Sequence, residues 1–427
     1  MGPAFSLAST LGVMVAVAGG LTVWALLATC AVMVLLALTF TQLTTTYPDA
    51  GSSYAWARRA FGEGAGAYAA WVLLLANFFA VLATALPAGV YTLALTAPRL
   101  STNPAWDAGI GCLWIVACAL VLYTGMRPSA RVAAALVVAE LLILAASVVA
   151  SLLAPAAAPT STHGVANATP ALAALAGGMV LAIWMLDGWE VSASTSEETR
   201  GASDSAGYGG IAGLLVTAAT LLACTLAYLR LGGIEAIGAH QVDVLAFVGD
   251  RLGPIWKAAL IVTVLISLTA ALEATLLYLV RSVYAMGRDS LLPRALGRLG
   301  ARTRDPDVAL AAVTLAVLAA TALVGFVPSA NAGLALVLNG TAIFLGLLFL
   351  ISCASALKLR AGETPLYAST SGVALVAVLA VAVAQVPPAT RWCVLGGLAL
   401  GLPVALLASA RSQARKVGAP AARNIGG

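Results

Sequence analysis

Apolar residues run through this chain in long blocks, and polar residues gather in the short segments between them. A block of about 20 apolar residues crosses the hydrocarbon core of a bilayer as a helix, so the blocks predict membrane spans and the gaps predict loops. Gly2-Pro3 reads as a helix break, followed by a half-length helix, Phe5–Ala18, that stops at Gly19-Gly20. The spans expected next are Leu21–Leu43, Ala65–Leu95 with a kink at Pro87, Asp107–Tyr123 and Val132–Leu153. After a Pro/Ala/Ser/Thr linker, Pro155–Pro170, come Ala171–Thr199, Gly207–Leu231, Ile255–Met286, Val308–Val327 and Leu334–Leu357. Gly372–Val386 and Cys393–Ala408 close the series. Thr44–Glu63 reads as a polar loop, and Val242–Leu252 as a short interfacial helix.

The sixth of these blocks does not fit a plain span. A continuous helix over Ala171–Thr199 would be about 43 Å long at 1.5 Å per residue, against a core of ~30 Å. In its middle stand Asp187, Gly188, Trp189 and Glu190. An acid and a glycine at that depth are tolerated where the backbone lines a cavity or is buried in protein. The pattern predicts a discontinuous helix with a polar site at its break, as in secondary transporters. The break at Gly2-Pro3 opens the first half as the break at Asp187-Gly188 opens the second. Five spans plus five, each led by a broken helix, point to an inverted repeat with spans eleven and twelve appended.

Composition confirms the environment. The chain is 61% hydrophobic and 9% charged, with a mean hydropathy of +1.00, where a soluble protein carries about 25% charged residues. The net charge of +5 lies in short loops between apolar blocks, which argues for membrane orientation and against nucleic acid. Arg58, Arg59, Arg127, Arg131, Arg200, Arg281, the arginines of 288–304, Lys358, Arg360 and the basic tail fall on one side; Arg99, Arg230, Arg251, Lys257 and Arg391 fall on the other. The first side is then cytoplasmic, with the C-terminus inside and the plasma (cell inner) membrane as the location. The six cysteines lie in or beside apolar stretches without CxxC spacing and read as small apolar fillers. The only histidines, His163 and His240, sit in polar loops, so no metal and no cofactor is expected beyond a coupling ion, H+ or Na+.

Four motifs carry a family resemblance. They are Gly2-Pro3-Ala4-Phe5-Ser6-Leu7-Ala8; Tyr47-Pro48-x-Ala50-Gly51-Ser52-Ser53-Tyr54 with Arg59-Ala60-Phe61-Gly62; Asp187-Gly188-Trp189-Glu190 with Ser196-Glu197-Glu198-Thr199-Arg200; and Arg281-Ser-Val-Tyr-Ala-Met-Gly-Arg288-Asp289 with Pro293. In this order and spacing the chain resembles the amino acid–polyamine–organocation (APC) superfamily of permeases. The resemblance implies an all-α polytopic membrane protein of the LeuT-type five-plus-five inverted repeat, with two extra C-terminal spans. It divides the chain into a first repeat (1–154), a linker (155–170), a second repeat (171–360), spans eleven and twelve (361–410) and a basic cytoplasmic tail (411–427). It implies a secondary active transporter that moves amino acids or related amines by alternating access, with a polyamine or organic cation transporter as the alternative. Gly2, Pro3, Ala4 and Ser6 from span one, and Trp184, Asp187, Gly188 and Trp189 from span six, would form the substrate site.

Each candidate has a second reading. Asp187 and Glu190 have capping-box spacing, so Asp187 is either the N-cap of the second half-helix or a substrate ligand. Trp184 and Trp189 either close over the substrate or pack. Glu140 and Glu273, within apolar blocks, face a partner or a pathway. Ser267 and Thr269 supply oxygens for sodium or bond their own backbone. Asn77 and Asn339 line the cavity or join helices. Some proton-coupled relatives place a lysine in span five where sodium sits in others; this span has none. A membrane-embedded enzyme would need a dense set of acids or histidines, and the one acid-rich run, Glu197–Asp204, lacks histidine. Family members carry half a helix before the first break, so the first span is expected to be truncated here at its N-terminus. The intact mass of the native protein is then expected to exceed the 42.9 kDa of these residues; a mass equal to it would refute an upstream start.

Overall fold

The structure is a computed structural model. It describes residues 2–97, 99–100, 103–157, 171–196, 205–240, 244–300, 304–326, 330–360, 365–385 and 388–418. Every element in those segments is helical. Proline at the first helical position starts α1 (Pro3–Ser6), which passes through a π turn, Leu7–Leu11, into α2 (Gly12–Ala18). A single 3₁₀ turn, Gly19–Leu21, joins α2 to α3 (Thr22–Thr46). Then come α4 (Ser53–Phe61), α5 (Glu63–Thr96), α6 (Pro104–Tyr123) and α7 (Met126–Leu153). The block expected to break does so, as α8 (Ala171–Met185) and α9 (Val191–Ser194). It is followed by α10 (Ser205–Gly232), α11 (Ile234–Ala239), α12 (Val244–Leu252) and α13 (Pro254–Arg288). The series ends with α14 (Asp307–Val324), α15 (Ala330–Leu359), α16 (Leu366–Gln385) and α17 (Pro388–Gly418).

Among the described residues eight helical stretches are long and apolar enough to cross a bilayer, Pro3–Thr46 counting as one. Shorter apolar helices, Ala171–Met185, Leu366–Val381 and Val394–Ala410, add to them. Helix α5 lies at the centre, packed on α4, α6, α13, α15 and α17, while α8 lies against α2, α3 and α16. Small residues let these backbones approach: a side chain at Gly178 would meet the Cβ atoms of Ala18 and Ala25, each 2.9 Å away. Hydroxyls within the spans, among them Thr41, Thr84 and Thr263, donate to carbonyls of their own preceding turn.

Two features depart from the sequence reading. The segment expected to be a polar loop after span two contains α4. Its one face, with Tyr54 and Trp56, is buried, and Arg58 and Arg59 form its last turn. Arg281, grouped above with the cytoplasmic-side cations and within the expected span Ile255–Met286, lies in α13 but is only 3% exposed and donates from Nε to the Ser194 carbonyl at 3.3 Å.

The buried face of α4 is where two of the sequence motifs meet. Tyr54 donates to Asp289 Oδ2 at 2.8 Å, and Arg58 forms an ion pair with the same oxygen at 2.7 Å. Arg288 pairs with Asp49 at 3.0 Å, and the hydroxyls of Ser52 and Tyr278 bond at 3.0 Å. Ser352 of α15 donates to Ser53 at 2.8 Å. The segment after span two is thereby tied to the end of α13 and to α15. Burial, and after it the Asp289 carboxylate, hold the Tyr54 hydroxyl well above the usual tyrosine range.

Tyr54→Phe is expected to lower the unfolding free energy in detergent by about 1.5–3 kcal/mol, the range for a hydrogen bond to a charged group. Because the folded-state value is raised, the contribution of Tyr54 is complete below the unfolded value of ~10 and is lost as pH rises beyond it. Thermal unfolding of the wild type should therefore fall more steeply above that pH than unfolding of Tyr54→Phe. Parallel curves would refute the assignment.

Candidate functional site

The break in span six is built from five residues. Helix α8 ends at Met185, and Gly188 takes φ +101°, a conformation in which a Cβ is strained. The chain then turns into α9. The Glu190 carboxylate reaches back to accept the Gly188 N–H at 2.9 Å. The Ala193 N–H donates to the Glu190 carbonyl at 2.9 Å, so Glu190 and not Asp187 stands at the cap position of α9. The capping-box expectation is thus corrected: the cap residue of α9 is Glu190, three residues beyond Asp187, so Asp187 does not cap it. Asp187 is partly buried beside Glu190, and its Oδ1 has no hydrogen-bond partner among the described residues.

The start of α1 faces this break. Its first N–H groups have no helical acceptor and take side chains instead. Ala4 N–H donates to Glu140 Oε1 of α7 at 2.7 Å, and Phe5 N–H donates to Ser267 Oγ of α13 at 3.0 Å. Gly2 is fitted closely against α13, since a Cβ there would stand 2.7 Å from Ser267 Oγ.

Between the two breaks lies a cavity of about 50 Å³. Of the residues named from sequence it brings together Gly2, Ser6, Asn77, Trp184, Asp187 and Gly188. Phe5 and Trp184 meet edge to face across it, ring centres 6.5 Å apart. Trp184 Nε1 is buried and has no hydrogen-bond partner among the described residues. Sequence reading missed Phe5, Thr84, Thr275 and Leu345 as lining residues, and it treated Glu190 as a cap alone. Phe5 follows the Pro3 break directly, and Thr275 lies two turns beyond Ser267; both were legible as one-face neighbours of named positions.

The other named residues lie elsewhere. Trp189 stacks on Phe349 with ring centres 5.9 Å apart and meets Phe40 edge-on at 5.1 Å, so it packs in an aromatic cluster outside the cavity. The glycine turn sends Trp184 and Trp189 to different sides of the break. Pro3 and Ala4 are fully enclosed in packing. Thr269 Oγ1 donates to the Leu265 carbonyl at 2.7 Å, its own helix. Asn77 lines the cavity while its Nδ2 donates to the Leu73 carbonyl at 3.0 Å. Glu273 is 3% exposed on α13 near Cys118, away from the cavity. Asn339 is in α15, and its side chain lies outside the described residues, as do Glu197 and Glu198.

A bundle of apolar helices, two of them broken against each other around a small cavity, is the architecture of a multi-pass membrane protein. A family model described as amino acid permease matches residues 1–395, and the chain belongs to that family, within the APC superfamily. The branched-chain amino acid permease BcaP of Lactococcus lactis subsp. cremoris (strain MG1363) is 26% identical over 283 residues, which cover 62% of this chain and 60% of that protein. The protein of the same description from Bacillus subtilis (strain 168) is 26% identical over 293 residues, covering 64% and 61%. The chain spans about three fifths of the length of these curated relatives.

Gly188→Ala is expected to destabilise the protein by ~1–3 kcal/mol through its backbone conformation. Gly209, exposed on α10 with nothing within 4 Å of an added Cβ, is the control, and Gly209→Ala should raise stability slightly. Equal melting temperatures for the two variants in detergent would rule out the strained turn.

Proposed function

We propose that this chain is a secondary active transporter that carries amino acids or related amines across the membrane by alternating access. The observation that carries the reading is a matched pair of unpartnered polar atoms at the span-six break, the Trp184 Nε1 donor and the Asp187 Oδ1 acceptor. Buried polar atoms without partners mark sites where something else binds. A zwitterion supplies both complements: its ammonium bonds Asp187 Oδ1 and its carboxylate accepts from Trp184 Nε1. The remaining wall, with Phe5, Ala271, Ala274 and Leu345, favours an apolar side chain. That agrees with the branched-chain amino acids named for the relatives. In this conformation the cavity of about 50 Å³ holds a few waters, at ~10–15 Å³ each on that measure. Loading a substrate requires the half-helices to part, which is the movement alternating access uses.

The same reading assigns residues 1–154 and 171–360 to the two inverted repeats, joined by 155–170, with 361–410 as the appended spans and 411–427 as the cytoplasmic tail in the cell inner membrane. The facing breaks of α1 and α8–α9 support the repeat. A second reading, transport of a cationic amine or polyamine, is favoured by one observation: Glu190 adjoins Asp187 at the cavity wall.

Uptake of labelled leucine into proteoliposomes, with valine, lysine and putrescine as competitors, tests both readings. Leucine uptake inhibited by valine and not by lysine or putrescine is expected. Asp187→Asn should raise the KM for leucine by about tenfold or more, the effect of losing a charge-assisted hydrogen bond of ~1.5–3 kcal/mol. An unchanged KM would remove Asp187 from the ammonium site, and uptake of putrescine in place of leucine would establish the second reading.

A further inference from the structure

The segment that joins α3 to α5 walls a second cavity. It measures about 370 Å³, against about 50 Å³ between the breaks. Thr46, the last residue of α3, and Glu63, the first of α5, both line it. The two helices belong to stretches long and apolar enough to cross a bilayer, so the cavity lies where they reach the headgroup layer. Phe61, between them, is 49% exposed, the setting of an interfacial aromatic residue.

The lining is aromatic and charged. Trp56 is 1% exposed, and its indole N–H donates to the Tyr47 carbonyl at 2.9 Å. The Arg59 guanidinium lies over the Tyr47 ring, 4.2 Å from its centre. That contact uses the face of the guanidinium and leaves its in-plane N–H groups to donate. Four charged residues line the cavity, Asp49, Arg58, Arg59 and Glu63. Two are engaged with the end of α13, Arg58 with Asp289 at 2.7 Å and Asp49 with Arg288 at 3.0 Å. Arg59 and Glu63 form no ion pair among the described residues. They flank the bend at Gly62, φ +94°, one closing α4 and the other opening α5. Helix α4 folds back on α5 so closely that a Cβ at Gly66 would overlap the Arg58 side chain. Helix ends account for the signs of these charges, cations in the last turn of α4 and an acid in the first of α5. They do not account for an aromatic-walled cavity between the two.

We propose that this cavity binds a phosphodiester carrying a primary ammonium, the headgroup of an aminophospholipid or its soluble glycerophospho form. The phosphate accepts from the in-plane N–H groups of Arg59, with Arg58 as the second cation of the lining. The ammonium donates to Glu63, with Asp49 as the second acid, and lies against the rings of Tyr47 and Trp56. An anion alone would meet two carboxylates here, and a cation alone two guanidinium groups. One zwitterion answers the charges left without an ion pair, one of each sign. The position of the cavity at the ends of two spans brings a lipid headgroup to it. Arg58 and Asp49 also tie this segment to the end of α13, so an occupant is held against that tie. The site lies outside the substrate cavity and does not draw on the identity of the cargo.

The full-length chain, purified in detergent and stripped of lipid, tests the site without any transport measurement. Native mass spectrometry with dioleoylphosphatidylethanolamine, or with its choline or glycerol counterpart, reads how much lipid stays bound and with what Kd. One tightly held ethanolamine lipid is expected. Its Kd should weaken by about tenfold in Arg59→Gln and in Glu63→Gln, the effect of losing one charge-assisted hydrogen bond. Tyr47→Phe, which keeps the ring, should bind as the wild type does, and Tyr47→Ala more weakly. Arg298→Gln removes an exposed cation outside the cavity and should change nothing. The choline lipid has no N–H to donate and the glycerol lipid has no cation, so each should bind about tenfold more weakly than the ethanolamine lipid. The ethanolamine lipid should also raise the melting temperature of the wild type and of Arg298→Gln, and not that of Arg59→Gln or Glu63→Gln. Equal melting temperatures of all four without lipid show that the variants fold. Glycerophosphoethanolamine identifies the source: if the lipid displaces it, it stands in for a headgroup, and if it stays bound, the ligand comes from water. Equal binding of the three lipids would overturn the proposal. So would ethanolamine-lipid binding at wild-type strength in both Arg59→Gln and Glu63→Gln.

Discussion

Inside a bilayer every backbone N–H and C=O must find a partner within the protein, because hydrocarbon offers none. This chain breaks its helices at membrane depth, and each break frees backbone groups. The costly polar residues of the interior answer those groups one by one. Glu140 takes the N–H of Ala4, Ser267 that of Phe5, Glu190 that of Gly188, and Arg281 donates to the carbonyl of Ser194. An ionisable side chain in a span usually marks function. Here it also does structural work, and the two roles share the same atoms.

Helix α13 is the common support. Along its length Ser267 holds the start of α1, Tyr278 bonds Ser52, Arg281 holds the end of α9, and Asp289, just past its end, receives Tyr54 and Arg58. A shift of α13 relative to α1 and α9 would therefore change both walls of the cavity together. That is the geometry a carrier needs if its two breaks are to open as one. The Ala4, Phe5 and Gly188 N–H groups are engaged by side chains, and among the residues that line the cavity Asp187 Oδ1 and Trp184 Nε1 have no hydrogen-bond partner among the described residues.

The family membership and the physical reading meet at the span-six break, and they inform different things. Membership in the amino acid permease family gives the class of protein. The local geometry adds the lining: Asp187 Oδ1 and Trp184 Nε1 without hydrogen-bond partners among the described residues, and an apolar wall of Phe5, Ala271, Ala274 and Leu345. Glu140 is 0% exposed, does not line the cavity, and accepts the Ala4 N–H at the start of α1.

Hydropathy is a one-dimensional property, and so the spans, the broken sixth helix and the break at Asp187-Gly188 were legible directly from the chain. An acid beside a glycine in an apolar block has few structural solutions. The motifs after spans two and eight were visible as text, but their meeting around Asp289 was not. Helix α4 reads as a loop in the sequence because its two buried aromatic residues become a hydrophobic face only when α5 and α15 pack on it. Trp184 and Trp189 are the same residue type five positions apart, and on either side of the turn at Gly188 one lines the cavity and the other packs on Phe349. The partners of Ala4 and Phe5 lie 136 and 262 positions away. The sequence by itself determined where helices must cross and where they must break, because the bilayer fixes length and polarity. Only the tertiary structure decided which freed backbone groups are already satisfied and which polar atoms remain for a ligand, because that depends on which distant side chain reaches them.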